Sequence, residues 1–113
     1  MKPFDVFSWQ PPGWVEPHPC VIVSHPSRVA NKAEVNVVAC SSKRATRKAQ
    51  GHEVILDQAD GLDWPTLCKC DLLYSVPKSD LRNRRGEVSP ARRKVLVRII
   101  IGSLAWGEVL SEP

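Results

Sequence analysis

Five short apolar runs constrain what this chain can fold into. "CVIVS" (20–24), "EVNVVACS" (34–41), "HEVIL" (52–56), "TLCKC" (66–70) and "LLYSVP" (72–77) are rich in β-branched residues and separated by turn signals. They are too brief for helices, and such runs fit strands buried on both faces. Phe4 to Trp9 reads as a further short strand. "QPPGWVEPHP" (10–19), with four prolines and a glycine, reads as a loop. "HPSRVANK" is a connection, "SKRATRKAQG" (42–51) a polar, basic loop, and "DQADGLDWP" a turn through Gly61 and Pro65. "TLCKC" and "LLYSVP" read as two strands or one long bent one. Short strands broken at this spacing predict a small, strongly curved sheet or barrel.

The C-terminus changes character. Ser89-Pro90 predicts a helix start, with Ser as cap and Pro at the first helical position. In "ARRKVLVRIIIGSLAW", Val95, Leu96, Ile99, Ile100 and Leu104 recur at the spacing of one helix face, and Arg92, Arg93 and Arg98 fall largely opposite. The expected architecture is mainly β with a C-terminal helix, as one domain over residues 1–113.

A length of 113 residues with 42% hydrophobic content permits one packed core. The net charge of +4 is clustered: Lys43, Arg44, Arg47 and Lys48 form one group, and Lys78, Arg82, Arg84, Arg85, Arg92, Arg93 and Lys94 a second. Clustered cations on a small domain point to a polyanionic partner. No apolar run approaches the ~18 residues of a membrane span. "MKPFDVFSWQPPG" lacks the apolar stretch of a signal peptide. The expected location is therefore the cytoplasm, with the four cysteines as reduced thiols. Cys68-x-Cys70 is not zinc-ligand spacing, and Cys20 and Cys40 stand alone in apolar strands, so neither a metal nor a cofactor is expected.

"HPCVIVS", "VNVVACSS", "LCKCDLLYSVPKSDL" and "GEVSPARRKVLVRIIIGSL", in that order over roughly residues 2–106, resemble the MazF/PemK/Kid toxins of type II toxin–antitoxin systems. The most specific part is Lys69-Cys70-Asp71, which corresponds to the Arg-Cys-Asp of the PemK/Kid branch. The resemblance implies an SH3-like small barrel that forms a homodimer. It also implies an endoribonuclease that cleaves single-stranded RNA (mRNA) without metal and is blocked by a cognate antitoxin. A competing reading is a non-catalytic SH3-like binding module, since relatives of the family include a gyrase-poisoning toxin of the same fold.

Strand alternation places Leu67, Lys69 and Asp71 on one face and Thr66, Cys68 and Cys70 on the other. At a rise of ~3.3 Å per residue, Lys69 and Asp71 lie about 6–7 Å apart, which suits two groups bracketing a phosphodiester. By resemblance, Lys69 takes the branch's Arg position and Asp71 keeps its Asp. His18 stands where many members have Arg and, as an imidazole, can serve as general acid or base at neutral pH. Asp71, Lys69 and His18 are the expected catalytic residues. Expected substrate contacts are Ser41, matching the family's Thr or Ser at a strand end, Trp14 and Glu16 in the loop that covers the RNA groove in the family, and the basic-loop Arg44. Trp14 reads either as an exposed platform for a base or as a loop hydrophobe folded onto the barrel. His25 and His52 read as structural or surface residues.

Overall fold

The apolar runs become strands because most of them have no solvent face. The computed structural model describes residues 1–113. Strands β1 (Asp5–Trp9), β2 (His18–Ile22), β3 (Glu34–Ala39), β6 (Tyr74–Pro77) and β7 (Arg82–Glu87) form a five-stranded sheet in the order β6-β3-β2-β1-β7. Every pairing in it is antiparallel. On one face Val6 faces Val21 and Val21 faces Val38; on the other Phe7, Cys20 and Ala39 are in register. The first row belongs to a core shared with Leu56, Cys68, Leu96 and Ile100. The second packs with Trp9, Ile22, Val29, Val37, Val76 and Leu81. Two buried faces leave no polar alternation, as the runs in β2 and β3 show.

β4 (Glu53–Leu56) and β5 (Thr66–Lys69) form a separate antiparallel ribbon. One bridge, Cys40 opposite Cys68, links it to the larger sheet. "TLCKC" and "LLYSVP" are therefore two strands in different sheets, and the hydrogen bonding stops short of a closed barrel. Helices α1 (Pro26–Asn31), α2 (Pro90–Ser103) and α3 (Ala105–Leu110) complete the chain.

Several boundaries differ from the sequence reading. The proline-rich loop gives way to β2 at His18, and Pro19 pairs with Ser8 inside that strand. Pro19 has no N–H, so opposite Cys40 only one of the two ladder bonds forms, with the Pro19 carbonyl accepting from the Cys40 amide at 2.8 Å, and the Cys40 carbonyl lies 3.0 Å from His18 Nδ1 instead. α1 falls in the segment read as a plain connection, capped by His25, whose Nδ1 accepts from the Ser27 amide at 3.1 Å. β7, "RNRRGE", lies in the stretch read only as a basic cluster. The C-terminal helix is two helices, broken at Leu104. Ser89 does precede α2, but its hydroxyl makes no capping bond.

The start of α2 is instead fixed by Asp60, which has no solvent exposure. Its carboxylate accepts from the Asp57 amide at 3.0 Å, the Ser89 amide at 2.9 Å and Arg92 Nη1 at 2.5 Å. Those bonds join a 3-10 turn after β4 to the entry of α2, whose Leu96 and Ile100 seal the first core. Gly61 follows with φ of +89°, and a Cβ there would lie 2.4 Å from the Arg85 carbonyl oxygen, so the crossing with β7 requires glycine. Asp60→Asn should cost about 3 kcal/mol of unfolding free energy in a urea titration, because it removes the charge and leaves buried donors mismatched.

Candidate active site

The pocket that holds the expected chemistry lies where the two sheets meet. A cavity of about 450 Å³ is lined by Trp14, His18, Ala39, Cys40, Ser41, His52, Lys69, Asp71, Leu72 and Tyr74. His18 comes from β2, Ser41 from the end of β3, Lys69 from the end of β5 and Asp71 from the turn after it. Five of the seven residues expected from the sequence converge here: His18, Lys69, Asp71, Ser41 and Trp14. Thr66, Cys68 and Cys70 are buried, Lys69 is half-buried and Asp71 exposed, but Leu67, expected on the face of Lys69, is buried too, and the strand ends at Lys69, so Asp71 stands in the turn after it.

The imidazole of His18 is held on two sides. Its Nδ1 lies 3.0 Å from the Cys40 carbonyl oxygen. A carbonyl only accepts, so Nδ1 carries the proton and Nε2 is the nitrogen left for a substrate. The Trp14 ring meets the imidazole edge to face at 4.5 Å between centroids. Trp14 in turn packs on Trp9 at 5.7 Å and Tyr74 at 6.4 Å. Of the two readings of Trp14, the second holds: the ring is half-buried and folded onto the sheet through tilted and edge-on contacts with Trp9, Tyr74 and His18. The Ser41 hydroxyl accepts from the Lys43 amide at 3.2 Å and keeps its own proton to donate.

Two expected substrate contacts are placed elsewhere. Glu16 lies outside the lining and accepts from the Ser42 hydroxyl at 2.6 Å. Arg44 also lies outside it, with its guanidinium 5.9 Å from the centre of the Trp64 ring, a cation–π contact that draws it away from the pocket.

Lys69 forms no ion pair with Asp71; its ammonium is paired with Glu53. Glu53 stands directly opposite Lys69 in the β4–β5 register, and its side chain has no solvent exposure. Arg47 grips the same carboxylate with two bonds of 2.6 and 2.8 Å, and the Gln50 amide donates to it at 2.9 Å. The Arg47 hydrogen bonds, followed by those of Lys69 and Gln50, hold the Glu53 carboxyl far below the usual carboxylate range, against the opposing effect of burial.

His52 and Glu53 were missed as participants. His52, read as structural or surface, lines the pocket, and its carbonyl accepts from the Cys70 amide at 2.9 Å. The signal was available: pairing "HEVIL" antiparallel with "TLCKC" sets Glu53 against Lys69. Opposite charges at facing strand positions attract. The cysteines point away from chemistry. Burial pushes the Cys20 thiol up to about 12. The Cys68 thiol is pushed well up by its hydrogen bond with Cys40 and by burial, and Cys70 by its contact with Cys68 and by burial. Such thiols are poor nucleophiles at neutral pH. No group of three or more His, Cys, Asp or Glu side chains is placed to hold a metal ion. A larger cleft of about 550 Å³ lies beside α2 and α3, but its lining is mainly apolar, with Phe4, Val23, Leu73, Ile100 and Trp106, and it lacks a comparable set of acid, base and cation.

The fold is thus mainly β with terminal helices, and His18, Lys69 and Asp71 share a pocket at the seam of its two sheets. The profile of the PemK-like, MazF-like toxins of type II toxin–antitoxin systems matches residues 9–103, and the chain belongs to that family. Among solved structures it is similar to Mycobacterium tuberculosis toxin MazF-mt6, at 20% identity and a TM-score of 0.73, covering 88% of this chain and 94% of that one. An endoribonuclease in complex with its cognate antitoxin from a Mycobacterial species gives 24% identity and a TM-score of 0.74, covering 100% and 99%. The MazE–MazF structure from Deinococcus radiodurans gives 14% and 0.67, covering 100% and 97%. No curated protein matches the chain in sequence.

A depressed carboxyl contributes stability that is complete above the ordinary glutamate range and is lost as pH falls through the folded-state value. Glu53→Gln should therefore lower the unfolding free energy from urea titration at pH 7 by about 1–3 kcal/mol, for a buried acceptor left partly unsatisfied. The gap between wild type and variant should narrow as pH falls below about 4.3, the value of a free glutamate. Parallel urea titrations from pH 7 to pH 3 check this.

Proposed function

We propose that the chain is an endoribonuclease that cleaves single-stranded RNA in the cytoplasm by attack of the substrate's own 2′-hydroxyl, without a metal. The observation that carries this reading is the convergence of His18, Lys69 and Asp71 on one pocket, in a member of a toxin family. Asp71 takes the 2′-OH proton. The freed oxygen attacks the adjacent phosphorus and forms the O2′–P bond as the P–O5′ bond breaks. His18, protonated on Nε2 and held through Nδ1, gives its proton to the departing O5′. The products are a 2′,3′-cyclic phosphate and a 5′-hydroxyl, and exchange with water resets both groups. Lys69 faces the charge that develops on the non-bridging phosphate oxygens. Its ammonium has three donors, so pairing with Glu53 leaves donors for phosphate. Ser41 adds a hydroxyl donor at the pocket, while Glu16 and Arg44 lie outside its lining.

The reading extends to partners. Solved relatives of this fold include an endoribonuclease with its cognate antitoxin and a MazE–MazF pair. We accordingly infer a homodimer that a cognate antitoxin silences. The half-exposed Val95, Val97 and Trp106 and the exposed Val109 and Leu110 on α2 and α3 supply apolar surface for such contacts.

The test is cleavage of single-stranded RNAs in EDTA. Wild type should cleave, and Asp71→Ala and His18→Ala should each lose about 100-fold or more in rate, the scale of a lost general acid or base. Intact RNA with the wild type over a range of sequences would contradict the reading. Equal cleavage by Asp71→Ala would contradict the assignment of Asp71.

A further inference from the structure

The chemistry placed in the pocket depends on a carboxylate that does not line it. Glu53 lies behind Lys69, with a side chain at 0% exposure, while the Arg47 and Lys69 side chains that bind it are 43% and 40% exposed. One buried anion thus holds two cations at the surface. Arg47 occupies both carboxylate oxygens with its guanidinium fork, and the Gln50 amide adds a further bond. Lys69 takes the remaining direction, straight across the β4–β5 ribbon.

A free lysine ammonium on a four-carbon stem samples many positions. Here a bond to an immobile acceptor restricts it, on a residue that lines the pocket. Neutralisation is incomplete: two cations against one anion leave a net positive charge beside the cavity. The same carboxylate anchors the second half of the basic loop through Arg47 and Gln50, while the Ala45 amide, donating to the Pro65 carbonyl at 2.8 Å, ties the first half; Lys43, Arg44 and Lys48 are carried on either side of Arg47.

We infer that Glu53 is a positioning residue of this site, fixing the Lys69 ammonium toward the pocket and, through Arg47, holding the basic loop along the path of a polyanionic substrate. The inference rests on the endoribonuclease reading and deepens it. Two arms follow, with separable kinetics. Action through Lys69 concerns charge that appears in the transition state, so it belongs to kcat. Action through Arg47 concerns the field that gathers RNA, so it belongs to KM.

A double-mutant cycle on RNA cleavage tests it, with folding of each variant checked by circular dichroism. Glu53→Gln should lower kcat about 10-fold or more. In a Lys69→Met background the same substitution should change kcat by less than about twofold, since the group it acts through is gone. Arg47→Gln should raise KM several-fold with kcat nearly unchanged. Glu53→Asp, which keeps the charge but withdraws it by one methylene, should fall between wild type and Glu53→Gln in kcat, and it carries the same cycle if Glu53→Gln does not fold. A kcat loss equal in the two backgrounds, or a folded Glu53→Gln with wild-type kcat, overturns the inference while the ribonuclease reading stands. A wild type that cleaves no RNA overturns both.

Discussion

The Glu53 carboxylate is fully removed from solvent, and much of the site's geometry follows from that. Stripping water from a carboxylate costs several kcal/mol unless opposite charge and hydrogen bonds replace it. The chain supplies them from two directions: Lys69 across the ribbon, and Arg47 with the Gln50 amide from the loop before β4. Neither cation can leave without stranding a buried anion. The loop of residues 42–51, which composition alone marks as solvated and mobile, is therefore tied down in its second half, and Lys69 is held at a pocket it would otherwise only visit.

The second constraint is the seam between the sheets. Cys40 opposite Cys68 is the sole bridge joining the five-stranded sheet to the β4–β5 ribbon. The carbonyl of Cys40 orients His18, and Lys69 follows Cys68 directly in sequence. One contact between two small buried residues thus sets the histidine of one sheet against the lysine and aspartate of the other. A cysteine fits here because its side chain is compact and apolar enough for the core while its backbone does the ordering. In the "CKC" run both cysteines pack into the core, and Lys69 between them lines the pocket.

The central strands were legible because burial on both faces writes itself as unbroken β-branched runs, as in "CVIVS" and "VNVVA". The site was legible in part because strand period alone turns Lys69 and Asp71 to one face, and the family resemblance added His18. What escaped was fixed by tertiary partners. β7 is a charged edge strand, "RNRRGE", whose place beside β1 comes from backbone pairing and from the ion pair of Arg84 with buried Asp5 at 3.0 Å, so no hydrophobic period marks it. α1 is six residues long and depends on its His25 cap and Val29 anchor more than on propensity. Arg44 was assigned to substrate on charge alone, yet a neighbouring Trp64, distant in sequence, claims it. Glu53 went unremarked because its importance comes from the cross-strand partner that only the register supplies.

The central claim is that the fold delivers an acid, a base and a cation to a phosphodiester whose own 2′-hydroxyl is the nucleophile. The most direct measurement is the chemistry of the cut ends, read by mass spectrometry of a short RNA cleaved in EDTA. The account predicts a 2′,3′-cyclic phosphate on the upstream fragment and a 5′-hydroxyl on the downstream one, with a single 2′-deoxy substitution at the cleaved nucleotide blocking the cut. A 3′-hydroxyl with a 5′-phosphate, or cleavage that survives the 2′-deoxy substitution, would show that water rather than the 2′-oxygen attacks and would contradict it.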